Sequence, residues 1–268
     1  MKKQFMAGLL SLLVSSAALA QQNTQAAAGR PQGQPTQGRP PMVQPDFFSL
    51  GVAAGAGWTE YVDSDIVINP FPFVAFRQGR FYSNQAGVGF EIYKNKGFRF
   101  SAVTEVAFQE TNRNQVSSLD DMQNLDIPLY AGLSVDVPLD RFVFTGTVQR
   151  EVGLASEGWR ASGSIARPIF VNRKLQLSPS VTFQWLDDRV TDYLYGVSAR
   201  DVLPTRGRYE ADSSFKLSGS LTGIYRLSEK FTLVGSSGLT WHNDEIVNSP
   251  IVDRRTVFST FFAIGYNF

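Results

Sequence analysis

The sequence predicts an all-β protein, a transmembrane, antiparallel, up-and-down β-barrel of about 12 strands. Three observations support this fold class. Apolar and polar residues alternate through stretches of roughly 12 to 15 residues, longer than most strands of soluble proteins. The links between these stretches are alternately short and long, and the chain ends on an aromatic strand. Together they indicate strands that cross a membrane.

The last stretch, residues 255–268, shows the alternation most clearly. One face is aromatic and aliphatic, whereas most residues of the other face are small or polar. A soluble edge strand this aromatic would aggregate, but a closed barrel in lipid requires the pattern. We expect this strand to pair with residues near 47–58 and with 230–242, and its Arg255 end to lie at the outer rim. The face expected to contact lipid comprises Phe258, Phe262, Ile264, Tyr266 and Phe268.

The same alternation recurs along the body of the chain. A soluble β-sandwich would also alternate, but the strand length and the aromatic ends of the apolar faces favour a membrane barrel. The region 65–93 is irregular because Asn69-Pro-Phe-Pro72 interrupts the ladder, so ten strands remain an alternative to twelve. The predicted strands are 47–60, 65–77, 80–84, 86–93, 97–109, 126–138, 141–151, 158–171, 174–186, 213–227, 230–242 and 255–268.

The lengths of the links predict the orientation. Tight links occur at 94–97, 138–140, 171–174 and 227–230, and longer polar links at 110–126, 151–158, 187–212 and 243–254. Outer-membrane barrels place short turns in the periplasm and long loops outside. We therefore expect a Gram-negative outer-membrane protein with both termini in the periplasm.

The first residues read as a targeting segment. Met-Lys-Lys, an apolar run and Ala-Leu-Ala20 predict a cleaved signal peptide over 1–20. Residues 21–46 are rich in Gln, Pro and Gly and predict a disordered periplasmic leader, which leaves 47–268 for the barrel. The chain has no Cys, and its 25 basic and 24 acidic residues nearly balance. This balance argues against nucleic-acid binding.

Several charged residues fall on the inward face of the predicted strands. Two interpretations remain open. Opposed charges could pair across the lumen and be largely solvated, or they could line a narrow channel for small solutes. The candidate lumen charges are Glu91, Arg99, Glu105, Asp136, Lys216 and Arg226, with Arg160 beside them.

Catalytic signals are thin. The single His, His242, lies near the predicted outer rim, where a solvated loop residue is the ordinary interpretation and a hydrolase base the remote one. The acidic pairs 120–121 and 187–188 lack the ligand spacing of a calcium loop. We therefore expect no catalytic residues, no metal and no cofactor, and a protein that is not an enzyme.

The longest link, 187–212, is too apolar for a simple solvated loop. Ser198-Ala-Arg-Asp predicts about one helical turn before Pro204. A loop of this length is expected to be functional or to fold inward as a plug over the lumen. Its candidate plug or interaction residues are Tyr193, Tyr195, Gly196, Val197, Ser198, Leu203, Pro204 and Tyr209.

This loop also carries a family resemblance. Tyr193-Leu-Tyr-Gly-Val-Ser198, followed by Leu203-Pro204 and Tyr209, resembles the Tyr-x-Gly-Val-Ser signature of the MipA/OmpV family. Phe76-Arg-Gln-Gly-Arg-Phe81 and the stretches 125–132, 141–168 and 175–185 add pattern-level similarity. The leader is not part of it.

The resemblance implies an outer-membrane barrel embedded in lipid. It implies a scaffold that links a lytic murein transglycosylase to a bifunctional penicillin-binding synthase, or an adhesin. The aromatic end at Phe268 resembles the signature that the barrel-assembly machinery reads. No catalytic residues carry over from the family.

Overall fold

The computed structural model describes residues 46–84 and 87–268. The predicted signal peptide, 1–20, and all of the predicted leader except Asp46 lie outside these residues. The described strands are β1 (Phe47–Gly57), β2 (Val67–Gln78), β3 (Phe81–Asn84), β4 (Gly87–Lys94), β5 (Arg99–Val106), β6 (Leu129–Leu139), β7 (Phe142–Glu151), β8 (Trp159–Ala166), β9 (Ile169–Phe170), β10 (Leu175–Leu186), β11 (Ser214–Arg226), β12 (Phe231–His242) and β13 (Thr256–Asn267).

These strands form one closed antiparallel barrel. Each pairs with its sequence neighbours, and β13 closes the ring by pairing with β1. The segments β8 and β9 both pair with β10 and are two parts of a single strand. The interruption falls at Arg167-Pro168, where proline lacks the N–H that a ladder needs. Counted this way the barrel has twelve strands, which confirms the prediction over the ten-strand alternative.

The closing strand behaves as predicted. Its pairs with β1 run from Ser49↔Asn267 to Gly57↔Ser259, and its pairs with β12 from Phe231↔Tyr266 to Trp241↔Thr256. Its aromatic face points away from the lumen, where Phe262 is 64% exposed. The Phe268 ring lies 5.6 Å from the Phe48 ring, so the two chain ends of the barrel meet at one rim. The residues of this strand that are predicted to contact lipid therefore lie on the outward face of the barrel.

Short turns join the strands at the rim that carries both barrel ends. Side-chain acceptors close them: Asn95 Oδ1 accepts the N–H groups of Gly97 (2.7 Å) and Phe98 (2.9 Å). Asn172 Oδ1 does the same for Lys174 and Leu175. The rule that short turns face the periplasm assigns this rim to the periplasmic side.

The long links at the opposite rim contain short helices. They are 3-10 turns at Phe108–Gln115 and Ser117–Leu119, helix α1 (Asp188–Tyr195) and helix α2 (Asp244–Val247). The helical turn predicted at Ser198 is a single turn, in which Asp201 N donates to Ser198 O (2.9 Å). The helix of this loop lies earlier, because Asp187 caps it by accepting the N–H of Val190 (2.9 Å). Within the described ranges, no helix is long and apolar enough to cross a membrane.

Beside β2 the barrel wall is incomplete toward the outer rim, and we call this region the low part of the wall. Strand β3 has 4 residues, whereas β2 beside it has 12. The two strands pair at Arg77↔Tyr82 and Gln78↔Phe81. Since Asn84 already pairs with Gly87 across the next turn, the β3–β4 hairpin reaches only part of the way along β2.

Candidate functional site

The four longest links pack together over the outer mouth of the barrel. We call this assembly the loop cap, formed by residues 58–66, 107–128, 187–213 and 243–255. Its links share one hydrophobic cluster, which also includes residues at the ends of β6 and β10. The buried members are Tyr61, Ala107, Val116, Leu119, Met122, Leu125, Tyr130, Leu186, Val190, Leu194, Tyr195, Val197, Ile246, Ile251 and Val252.

Helix α1 is the centre of the loop cap. Val190 and Leu194, four residues apart, lie on one face of the helix and are buried. Gly196 follows because a Cβ there would lie 2.4 Å from Asp192 O. That carbonyl accepts the Gly196 N–H (2.7 Å) and ends the helix. The glycine of the family-like motif is thus required by a close approach.

Other links of the cap satisfy the free carbonyls of α1. The Tyr61 hydroxyl donates to Leu194 O (3.2 Å), and the Ser249 hydroxyl donates to Tyr195 O (2.6 Å). The Tyr193 hydroxyl donates to Asp126 O (2.9 Å). The first two bonds satisfy carbonyls that a helix end leaves unpaired. Together the three bonds fix α1 to three separate links.

The predicted loop residues divide into two groups. Tyr195 and Val197 are buried in the cap, and Gly196 and Tyr193 are half-buried beside them. Val197 also forms a bridge with Tyr209, whose hydroxyl donates to Glu245 O (2.6 Å). The remaining predicted residues, Ser198, Leu203 and Pro204, are exposed on the outer surface.

Beneath α1 lies a small cavity of about 80 Å³, whose lining includes Glu60, Lys216 and His242. The Tyr195 hydroxyl donates to Glu60 Oε1 (2.6 Å), and Lys216 Nζ lies 5.3 Å from the Tyr195 ring centroid. Burial alone would raise the pKa of Glu60, but the attraction of His242 and Lys216 and the Tyr195 hydrogen bond outweigh it. The pKa of Glu60 therefore lies below its usual value.

His242 is not a solvated rim residue, contrary to expectation. It faces the lumen from the end of β12 and is 1% exposed. Its Nδ1 lies 3.2 Å from Arg255 O, and its Nε2 lies 3.9 Å from Glu60 Oε1. Among the described residues no serine hydroxyl is hydrogen-bonded to this ring.

A buried ion network lies below the cap. Arg160 contacts Glu105 (2.8 Å) and Glu110 (3.0 Å), and its guanidinium also donates to Gln149 Oε1. The guanidinium carbon lies 3.6 Å from the Tyr130 ring centroid. These groups bring β5, β6, β7 and β8 into one network. Glu110 joins the network although it is not one of the predicted lumen charges, because it lies in the loop that follows β5.

Further pairs lie closer to the periplasmic rim. Arg99 contacts Asp136 (2.8 Å), its partner on the neighbouring strand, and Glu91 lies 3.7 Å from both Arg77 and Lys94. Arg226, at the end of β11, is half-buried. The opposed charges therefore pair, as one interpretation expected, but mainly along one side of the wall and not across the lumen. The paired side chains are largely buried and not solvated.

The opposite inner surface is partly apolar. Strands β11, β12, β13, β1 and β2 contribute an apolar lumen cluster, in which the Phe71 and Phe261 rings stack at 5.8 Å. The sequence indicates this apolar cluster only weakly, because Phe261 is a single aromatic residue on a strand face of small and polar residues. The buried members are Ala53, Phe73, Ala75, Ile224, Val234, Phe261 and Ala263.

Charge differs between the two rims. Acidic residues outnumber basic ones in the loop cap. The short turns at the other end are mainly basic, and we call their charged surface the basic rim. Its exposed cations are Arg80, Lys96, Arg141, Arg173, Lys174 and Lys230, and the acidic residues on the same turns are Asp140 and Glu229.

Comparisons with known proteins agree with this architecture. The family model described as MltA-interacting protein MipA matches residues 50–268. The MltA-interacting protein of Escherichia coli strain K12 is 24% identical over 232 residues, which cover 82% of this chain and 90% of that protein. Outer membrane protein OmpV of Vibrio cholerae is 20% identical over 194 residues, covering 70% and 74%. Relatives named as outer membrane proteins, together with the barrel, place this chain in the outer membrane.

Among solved structures, an outer membrane channel from Pseudomonas putida F1 covers 89% of this chain and 100% of its own length. Its TM-score is 0.44 and its identity is 10%.

Proposed function

Because the chain belongs to the MltA-interacting protein MipA family, we propose that this outer-membrane barrel is a non-enzymatic interaction protein. Its partners are cell-wall enzymes of the periplasm: a lytic murein transglycosylase, as the name of the relative in Escherichia coli suggests, and a penicillin-binding synthase. The barrel holds them at the membrane and carries out no reaction of its own.

The observation that carries this proposal is the basic rim. Its cations are exposed on turns that the length rule assigns to the periplasm. A surface of one charge sign raises the rate at which an oppositely charged partner docks and selects against like-charged ones. The partner's docking surface is therefore acidic.

We propose that the predicted leader provides a second, weaker contact. Residues 21–46 contain Arg30 and Arg39, with Asp46 as their acidic residue. A basic leader tethered beside the rim raises the effective concentration of a second contact with the same partner.

The interior supports a structural role for the barrel. The loop cap covers the outer mouth with its own hydrophobic cluster. Buried ion pairs occupy one side of the lumen and a packed apolar cluster the other. An interior filled in this way gives a rigid platform and leaves little room for a conducting path.

The test is a binding measurement with the full mature chain in detergent micelles and a purified lytic murein transglycosylase. Charge reversal of the basic rim (Arg80→Glu, Arg141→Glu, Arg173→Glu, Lys230→Glu) should weaken binding roughly tenfold or more and reduce its salt dependence. The matched control reverses exposed cations of the loop cap (Arg189→Glu, Arg200→Glu, Arg208→Glu) and should bind as the wild type does.

Deletion of residues 21–45 gives the second arm. It should weaken binding less than the rim variant if the leader is an auxiliary contact. Equal binding by wild type and rim variant would refute the docking surface. A wild-type protein that binds neither a transglycosylase nor a penicillin-binding synthase would end the scaffold proposal.

A further inference from the structure

The low part of the wall leaves one strand edge open. Among the described residues, positions 67–74 of β2 have no backbone partner on the side that faces β3. The open edge is about 26 Å long at roughly 3.3 Å per residue. Its outward side chains lie in the lipid-facing surface, where Ile68 is 68% and Val74 is 44% exposed.

An unpaired edge in a membrane is costly, because hydrocarbon offers its N–H and C=O groups no partner. Here the sequence removes part of the cost. The Phe76 N–H donates to Ser83 Oγ (3.1 Å), so even-numbered residues of β2 direct their N–H groups toward the open side. Two of those positions are Pro70 and Pro72, which carry no N–H. The open edge therefore has two fewer donors than an ordinary strand.

These prolines also disfavour a peptide strand as the occupant. A strand that added to this edge would find no donors opposite two of its carbonyls. A molecule without a regular ladder of donors and acceptors fits the edge better.

The inner side of the open edge is amphipathic along its length. Phe71 and Phe73 belong to the apolar lumen cluster. Asn69, nearer the outer rim, is 6% exposed, and its Nδ2 has no hydrogen-bond partner among the described residues. A buried donor thus lies above two aromatic rings, just behind the unpaired edge.

We propose that this part of the wall is a lateral opening that admits the acyl chain of a single-chain amphiphile from the outer leaflet. The oxygen-bearing head of the amphiphile accepts a hydrogen bond from Asn69 Nδ2. The chain lies along Phe71 and Phe73 and reaches the apolar lumen cluster. The head thus lies nearer the outer membrane surface and the tail nearer the middle of the membrane, as in a lipid of the outer leaflet.

Fluorescence quenching tests the opening directly. The chain has no Cys, so a single Phe71→Cys variant of the full mature chain can be labelled specifically in phosphatidylcholine vesicles. The quencher is a phospholipid with a doxyl group on its acyl chain. The inward control is Thr182→Cys, on a strand paired on both sides, and the outward control is Leu217→Cys.

The label at Phe71→Cys should be quenched at least half as strongly as the label at Leu217→Cys, and the label at Thr182→Cys hardly at all. Asn69→Cys, on the same inner surface, repeats the test if Phe71→Cys fails to fold. Quenching at both positions no stronger than at Thr182→Cys would overturn the opening.

Free doxyl-stearate provides the test of the ligand. It should quench the Phe71→Cys label saturably, and adding Asn69→Leu should raise the half-saturating concentration roughly threefold to tenfold, since one hydrogen bond is lost. Quenching that does not saturate, or a half-saturating concentration that Asn69→Leu leaves unchanged, would refute binding of the amphiphile.

Discussion

Replacing Arg160 by Met should remove much of the stability of this barrel. The side chain is 4% exposed and neutralises Glu105 and Glu110 at 2.8 and 3.0 Å. Met keeps most of the volume but leaves two carboxylates in a buried site without their cation. Breaking a buried pair in this way costs about 3–5 kcal/mol. We expect a loss of that size, and not the sum of all the individual bonds, because neighbouring groups relax.

The assay is equilibrium unfolding of the refolded protein by guanidinium in lipid vesicles, followed by tryptophan fluorescence. Arg150→Met is the matched control, because that arginine is exposed and lies 5.8 Å from the Trp159 ring; it should cost less than about 1 kcal/mol. The triple variant Arg160→Met, Glu105→Gln, Glu110→Gln should recover part of the loss by removing the uncompensated charges. A single variant within about 1 kcal/mol of wild type would refute the reasoning, as would a triple variant no more stable than the single one.

Three further predictions concern the cap, the link after β7 and the lumen. The lowered pKa of Glu60 means that its contribution to stability is present above the usual value of 4.5 and is lost as the pH falls through the folded value. This contribution is absent in Glu60→Gln, so its stability should fall less steeply below pH 4.5 than that of the wild type. An unchanged pH profile would contradict this. Glu151 accepts the N–H groups of Ala155 and Glu157 at 3.0 Å, so Glu151→Gln should cost about 2 kcal/mol and make residues 152–158 more sensitive to protease; wild-type resistance would count against it. In planar bilayers the wild type should carry no steady single-channel current, and a regular conductance would show that the cap and packed interior open.

The strands were predictable because their signal is local. Successive side chains of a strand point to opposite faces, so the alternation of apolar and polar residues determines which side chains face lipid. The long strands from β5 to β13 keep this alternation. The single strand predicted over 158–171 is interrupted at Pro168, yet both parts pair with β10. The low part of the wall beside β2 had only a weak sequence signal, consisting of two prolines and two short predicted strands.

The site was less predictable because its contacts depend on the stagger of the whole barrel. Residues Glu105 and Arg160 are 55 positions apart in the sequence, and no local pattern brings them together. Helix α1 had local signals, in the Asp187 cap and the spacing of Val190 and Leu194. However, eight residues make an unstable helix in isolation, and α1 persists because other links bind its last carbonyls.

The filled interior limits where this barrel can act. Apart from the proposed lateral opening at β2, a barrel whose lumen holds buried ion pairs and a packed apolar cluster offers three surfaces to a partner: the lipid face, the loop cap and the periplasmic rim. The loop cap is acidic and tied together by its own core, whereas the rim is basic and built from short turns held by local side-chain acceptors. Under the proposed function, an acidic periplasmic partner would therefore dock at the basic rim and not at the acidic loop cap. A rigid interior favours such docking, because the rim cations keep their spacing without further loss of entropy when the partner binds.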